Sequence, residues 1–494
     1  MGPDGGAPGP PGAGRGRCRR RGGPTAGAAG RRPPRGRGRA APHRADLPGT
    51  QPGAAGLAGR PRRALRGRRR RRGLDRRGRR GAGARLARRR GARPGRPWLP
   101  GDPPAAAAVT PSTAWQLDPL ELAAGFPLGL GPGPALARAL PGTPTARGAF
   151  EAVLRQALRR PPCVVSFSGG RDSSAVLAVA ALVARREGLP PPVAVTLRFA
   201  GVPAAEESAW QEQVVAHLGV ADWEVVEVTG QLDLVGPVAA RETGRHGVLW
   251  PANTLFHAPV AERAAGGTLV TGFGGDEVMS PGWAWDRVGR LRDRTSRPVP
   301  ADLVELAGAV ARGPVRRWVL DRRPEPSAPS PWLHPGVDAE VRDRWRALRA
   351  AEPVRHDRAL LGHWWTSRYL QVTRQSLRLL AAGHGAAVAH PFTEPAFLAA
   401  LARERGHSGP RHRTREMVRL FADVLPQATV SRVGKATFNG AFWGPHTRAF
   451  VADWDGSGVD PALVDVAALR REWAAADPDA RTHPLLQAAW AARV

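Results

Sequence analysis

The amino-acid sequence predicts an α/β fold, a parallel sheet with helices on both faces, followed by a mostly helical C-terminal extension. Two observations support this class. Short runs rich in Val, Leu, Thr and aromatic residues alternate with helical patterns between about residues 146 and 281, as in right-handed βαβ units. Beyond about Pro281 the strand pattern stops and helical patterns continue. Ligands of such sheets bind beyond the carboxyl ends of the strands.

Each element follows from its local pattern, in chain order. A helical pattern that starts at Ala146 leads into the first strand. Strands are predicted where β-branched and aromatic residues cluster, at 164–167, 193–199, 223–228 and 268–273. Helices are predicted between them, at 173–187, 205–218 and 254–265. The extension contains helical patterns such as VDAEVRDRWRALRAAE and TREMVRLFADVL.

The charge is concentrated in the N-terminal segment. Of a net charge of +32, residues 1–100 supply +27, from 30 Arg and 3 Asp, and they contain few residues that could form a core. We therefore predict a disordered tail at 1–100, a lead-in segment at 101–145, an α/β core at 146–281 and a helical extension at 282–494. An Arg/Gly-rich arm can bind nucleic acid, but a GC-rich gene produces the same composition, and we favour that explanation.

Cysteine usage and hydropathy limit the class of protein. Cys18 and Cys163 are the only cysteines, which excludes a disulfide framework or a cysteine metal site. The N-terminus lacks the apolar segment of a signal peptide, and no stretch approaches about 18 consecutive apolar residues. We expect a soluble cytoplasmic protein that does not bind membranes.

A glycine-rich turn follows the first predicted strand. Ser168-Gly169-Gly170 passes directly into a helix that begins near Ser173. Adjacent glycines let backbone N–H groups approach an anion, and the helix N-terminus and serine hydroxyls add donors, so the turn suits a phosphate or pyrophosphate. A carboxylate beside a phosphate needs a cation between them, and we therefore assign Asp172 to Mg²⁺. The alternative is a turn without a ligand.

A second glycine-rich turn follows the fourth predicted strand. It reads TGFGGDE and spans 271–277. A Gly-Gly-Asp loop is often purely structural, but neighbouring parallel strands would bring Asp276 to the same sheet edge as Asp172. Two carboxylates there could share the Mg²⁺ of a nucleotide triphosphate. Together the turns predict an ATP site.

The chain contains a single lysine, Lys435, among 74 basic residues. Because Arg is so strongly preferred here, a retained Lys suggests a need for a compact ammonium. It follows a helix and a Leu-Pro stop, a setting that suits a loop over the site. There it could stabilise charge on a departing pyrophosphate or a reacting carbonyl. The alternative is a surface lysine retained by chance.

These motifs, in this order, resemble the synthetase domain of the asparagine synthase family. The first turn is similar to the pyrophosphate loop of N-type ATP pyrophosphatases. TGFGGDE, HPFTEPAF and TREMVRLFADVLPQATVSRVGKATF are similar to asparagine synthases, β-lactam synthetases and lasso-peptide cyclases. The resemblance covers about residues 146–443 and implies an adenine-nucleotide alpha-hydrolase-like sheet.

The resemblance implies an amide-forming ligase. ATP would adenylate the carboxylate of a small acid or peptide, and an amine or ammonia would displace AMP. Asp276 and Asp172 would bind Mg²⁺, and Lys435 would be catalytic. The residues that would contact the nucleotide are Ser168, Gly169, Gly170, Asp172 and Ser173 at pyrophosphate, Phe167 and Phe199 at adenosine, and Thr271 and Gly272 at AMP.

Three departures from asparagine synthases qualify this expectation. Residue 2 is Gly where a glutaminase domain would place its cysteine nucleophile, so ammonia would need a separate donor protein. Phe273 stands where those enzymes have Glu, so the general base is expected to be Glu277 or Glu394, or the amine arrives neutral. Glu394 itself replaces an Asp.

Two other functions use the same turns. A tRNA-modifying ATP pyrophosphatase would use the Arg-rich tail as an RNA arm. A degenerate member of the family would bind nucleotide without turnover, which Phe273 favours.

Overall fold

The structure is a computed structural model. It describes residues 116–139, 143–279, 284–293, 300, 303–304, 306–307, 311, 318–319, 329–410, 412–432, 434 and 436–493. Outside the described residues lie the predicted tail at 1–100, residues 101–115 and 140–142 of the lead-in segment, and Lys435.

The described part of the chain forms one parallel sheet of five strands. They are β1 (Cys163–Ser166), β2 (Val193–Phe199), β3 (Trp223–Val228), β4 (Thr268–Val270) and β5 (Ala387–Ala389), in the spatial order β3-β2-β1-β4-β5. All neighbours pair in parallel, with Val164 of β1 opposite Val193 of β2 and Leu269 of β4. The predicted α/β class is confirmed.

The strand order reverses between β1 and β4. The chain moves outward from β1 to β2 and β3, and then returns to β4 on the other side of β1. Loops that leave the carboxyl ends of two such strands diverge and open a crevice, which is the usual ligand site of open α/β sheets. Both glycine-rich turns leave these two strands.

Helices cover the sheet and form most of the C-terminal part. They are α1 (Pro119–Ala124), α2 (Ala146–Leu158), α3 (Arg171–Glu187), α4 (Ser208–Leu218), α5 (Pro237–His246), α6 (Ala258–Arg263), α7 (Gly275–Met279), α8 (Ala284–Asp293), α9 (Pro335–Ala351), α10 (His356–Arg358), α11 (Arg368–Gly383), α12 (Pro395–Arg405), α13 (Arg413–Phe421), α14 (Gln427–Val430), α15 (Asn439–Phe442), α16 (Pro445–Asp453), α17 (Val466–Trp473) and α18 (His483–Ala491). Shorter 3₁₀ segments lie at Pro203–Ala205, Ala252–His257, Pro391–Thr393 and Ala480–Thr482, with a π-helical turn at Ala359–Trp364.

Several predicted boundaries were wrong. The strand pattern does not stop at Pro281, because β5, at the end of a long helical stretch, completes the sheet beside β4. The fourth strand ends at Val270 instead of residue 273, since the glycine-rich turn begins at once. The helix predicted to start at Ser173 begins two residues earlier, after Gly170. The helix predicted over 254–265 divides into a 3₁₀ segment and α6.

An aromatic cluster holds the C-terminal part against the sheet near the turns. Phe150 of α2 packs on Phe392 and Phe421, with ring centroids 4.8 and 5.2 Å apart. All three rings are fully buried, and burying each contributes about 1.5–3 kcal/mol. Because Phe421 ends α13, this packing fixes the helix whose first residue, Arg413, reaches the first turn.

None of the helices in the described ranges has the length and apolar character needed to cross a lipid bilayer.

Candidate active site

The first turn is held in shape by its own serines. Gly169 has a φ of 82°, in the left-handed region where glycine is favoured, and Gly170 is the N-cap of α3. The hydroxyls of Ser168 and Ser173 are 3.1 Å apart, and Ser173 Oγ also donates to Gly170 O at 3.1 Å. Ser168 is exposed. The turn therefore presents a serine hydroxyl and the amino end of a helix of 17 residues at the crevice, an arrangement suited to anions.

The two turns touch through glycines of the second turn. A Cβ atom at Gly275 would lie 2.4 Å from Asp172 Cγ, and one at Gly272 would lie 2.9 Å from the backbone N of Ser173. Both distances are shorter than carbon contacts allow. Gly272 and Gly275 thus permit the close approach that brings Asp276 next to Asp172.

Asp172 and Asp276 converge on one cationic atom. Nη2 of Arg413 lies 2.9 and 2.7 Å from the two carboxylate oxygens of Asp172 and 2.6 Å from Oδ1 of Asp276. The Arg413 side chain is only 13% exposed. Burial alone would lower the pKa of Arg413, but the charges of Asp172 and Asp276 outweigh it and raise the pKa. No local pattern in the sequence points to this residue.

This geometry fits a magnesium ion. Two carboxylates within hydrogen-bond distance of one nitrogen are close enough to bind a single cation, and the guanidinium shows where positive charge is favoured. Mg²⁺ prefers oxygen ligands and typically takes one or two carboxylates together with substrate phosphates. Asp172 and Asp276 are the residues that would bind it.

Two more arginines lie at the first turn. Nη1 of Arg432 donates to Gly169 O at 3.2 Å, while its Nη2 pairs with Glu207. Arg171 donates to Thr414 Oγ1 at 3.3 Å. Burial and the nearby charge of Arg413 lower the pKa of Arg171. With Arg413, these groups place three guanidinium groups near the turn as donors for an anionic ligand, although Arg413 and Arg432 are also paired with carboxylates.

The residues on either side of Lys435 attach their loop to the same region. Ala436 N donates to Glu207 Oε1 at 3.1 Å, and Thr437 N donates to Ala204 O at 2.9 Å. Glu207 is also the partner of Arg432, so one buried carboxylate links this loop to the turn. Lys435 itself is outside the described residues, and its catalytic role stays a prediction.

Three residues predicted to contact the nucleotide differ in how far their side chains are exposed. Phe167 is 1% exposed and its ring lies in the core, so only its backbone could border adenosine. Thr271 is equally buried, with its hydroxyl 2.7 Å from His390 Nδ1 and its N–H bonded to Ala389 O. Phe199 is partly exposed beside Phe438, at a centroid distance of 5.4 Å. Phe199 is thus the predicted adenosine contact with an available side chain.

The candidate bases are both held by specific partners. Glu277 accepts a hydrogen bond of 2.7 Å from Tyr369 Oη, the hydroxyl of the single tyrosine in the chain. Burial, and then the charge of Glu277, raise the pKa of Tyr369 well above its ordinary value, so Tyr369 remains a donor. Burial also raises the pKa of Glu394, while Arg374 partly opposes this shift. Phe273 packs edge-on against His390 and offers no proton acceptor.

One family model matches the part of the chain that contains this site. The model of the family described as asparagine synthase matches residues 149–492, a region that contains both turns, Arg413 and the loop of Lys435. No individual curated protein matches the chain. The match covers more than half of the chain and is to the synthetase part of the family. The chain therefore belongs to the asparagine synthase family, whose members are ATP-dependent, amide-forming ligases.

Proposed function

We propose that the protein is an ATP- and Mg²⁺-dependent ligase that adenylates a carboxylate and transfers the acyl group to an amine or ammonia, releasing AMP and pyrophosphate. The observation that supports this best is the pair of Asp172 and Asp276, brought together by two glycine-rich turns at the point where the strand order reverses. A family fold alone does not fix a substrate, so the proposal depends on this site.

In the first step, an oxygen of the substrate carboxylate attacks the α-phosphorus of ATP, and the bond to the pyrophosphate oxygen breaks. The leaving pyrophosphate carries the electron pair of that bond. Ser168, the N–H groups that begin α3, and Arg171 and Arg432 would bind it. Mg²⁺ held by Asp172 and Asp276 would neutralise phosphate charge. Such preorganised groups stabilise charge as it develops and are each worth about 10²–10³ in rate.

In the second step, the amine attacks the acyl carbonyl, a C–N bond forms, and AMP leaves with the electrons of the acyl–oxygen bond. The nitrogen must lose a proton. We assign this proton to Glu277, oriented by Tyr369, with Glu394 as the alternative base. Lys435 would stabilise the negative charge on the carbonyl oxygen or on the leaving group.

We further propose that the acyl donor is a small acid or a peptide and that the protein acts in the cytoplasm. We also propose that the acceptor is an amine, or ammonia from a separate donor protein.

The test is exchange of labelled pyrophosphate into ATP with a panel of carboxylates, with and without tRNA. We expect exchange that depends on one class of carboxylate, and its loss in Asp172→Asn. Asp343→Asn, a change at an exposed α9 residue that pairs only at the surface, is the matched control. ATP binding without exchange for any carboxylate would instead identify a nucleotide-binding member without turnover. Exchange that requires tRNA would favour a tRNA-modifying enzyme.

A further inference from the structure

Arg413 occupies the position that the proposed cation requires. Its Nη2 contacts three carboxylate oxygens, two of Asp172 and one of Asp276, at 2.6–2.9 Å. Mg²⁺ needs oxygen ligands at about 2.0–2.1 Å and releases its water reluctantly. A guanidinium nitrogen and a metal ion cannot share this space, so the metal ion can enter only after Arg413 has moved.

Free divalent cations compete poorly with this arginine. Arg413 is the first residue of α13, and the buried packing of Phe421 at the end of that helix fixes it in place. A tethered group acts at a high effective concentration, commonly millimolar. Arg413 also offsets one of the two carboxylate charges, which weakens the attraction of the pair for a free cation.

A nucleotide can release Arg413. The Nε atom of Arg413 is buried and has no hydrogen-bond acceptor among the described residues, so one donor of the guanidinium is left for a ligand. Arginine forms paired hydrogen bonds to phosphate oxygens. The phosphate chain of an approaching nucleotide adds negative charge at the turn. This charge can attract both the Arg413 guanidinium and a divalent cation.

We propose that Arg413 closes the Asp172–Asp276 site to free divalent cations and transfers to the phosphate chain when nucleotide binds, so that the metal enters only with or after the nucleotide. The nucleotide part of this inference rests on the proposed function, whereas the exclusion of free cations does not. Arg413 is thus a positioning residue that enforces the order of binding.

The experiment measures Mn²⁺ binding to the folded, nucleotide-free protein by electron paramagnetic resonance. Arg413→Gln should bind Mn²⁺ at least 10-fold more tightly than the wild type, and adding Asp172→Asn to it should remove the gain. Arg413→Lys, which keeps the charge but cannot reach both carboxylates in the same way, should gain at least threefold. Arg415→Gln, at an exposed position of the same helix, should match the wild type.

Equal Mn²⁺ affinity in the wild type and in both folded Arg413 variants would overturn the proposal. A second measurement uses a non-hydrolysable ATP analogue in the presence of EDTA. Arg413→Gln should bind it at least 10-fold more weakly, because a phosphate contact is lost, and unchanged affinity would overturn the transfer to the phosphate chain. If Arg413→Gln binds Mn²⁺ more tightly but neither the wild type nor the variant binds the ATP analogue, the proposed ATP-dependent function is wrong. The exclusion of free cations by Arg413 would still stand.

Discussion

Replacement of Gly275 by alanine tests the contact between the two turns. The added Cβ would lie 2.4 Å from Asp172 Cγ, and ordinary carbon contacts need about 3.5 Å, so the Asp172 side chain would have to move by about 1 Å. A displacement of that size in a catalytic group commonly costs about 10²-fold in rate, equivalent to about 2.7 kcal/mol of transition-state stabilisation. We expect pyrophosphate exchange to fall by that factor.

A glycine-to-alanine substitution at a position with open space should stabilise the protein instead, and it serves as the control. Gly244 is an exposed position of α5 with no atom near an added Cβ, so Gly244→Ala should stabilise the protein by about 0.5–1 kcal/mol. Gly275→Ala should instead destabilise it by about 1–3 kcal/mol through overpacking. Thermal denaturation and pyrophosphate exchange measure both effects. A Gly275→Ala protein that is fully active and as stable as Gly244→Ala would show that the contact between the two turns does not position Asp172.

Three further predictions concern other groups. Tyr369→Phe removes the hydrogen bond to Glu277, so amide formation should fall about 10-fold while pyrophosphate exchange is retained; an equal loss of both would show that Tyr369 serves the fold alone. Lys435→Arg should slow exchange by about 10²-fold although the charge is kept, and full activity would mean that the single lysine is incidental. Burial raises the pKa of Cys163 to about 12, so in a Cys18→Ser protein this thiol should resist maleimide at pH 8 until the protein unfolds. Since its folded pKa is the higher one, the thiol's contribution to stability should be complete below its ordinary pKa of about 8.5 and be lost as the pH rises toward 12. Rapid labelling of the folded protein at pH 8 would contradict the buried placement.

Local signals in the sequence were sufficient to predict four of the five strands and the two turns. The first turn directly follows a strand and consists of Ser168, Gly169 and Gly170. Because the contacts that shape it lie within a few residues, one short stretch of sequence shows its pattern. The strand β5 was not predicted because it has three residues, two of them alanine, and is a strand only because β4 offers it a partner. Its pairing depends on tertiary structure, not on local propensity.

The side chains of the site were harder to predict from the sequence than the strands and turns that position them. Arg413 is one arginine in a chain rich in that residue, and it lies 241 positions from Asp172, so no periodicity or motif connects the two. Tyr369 offered a better signal, since it is the single tyrosine, as Lys435 is the single lysine. The family resemblance implied that Phe167 contacts adenosine, and this stays a prediction. Strand alternation directs its ring into the core, which leaves only its backbone for that contact.

The proposed function requires that the turn from Ser168 to Ser173 supports adenylation of a carboxylate. The most direct measurement labels both carboxylate oxygens of an acid that supports exchange with ¹⁸O and analyses the products by mass spectrometry. The proposed reaction predicts one ¹⁸O atom in each AMP formed, together with unlabelled pyrophosphate. Label in inorganic phosphate together with ADP, or AMP without label, would contradict it.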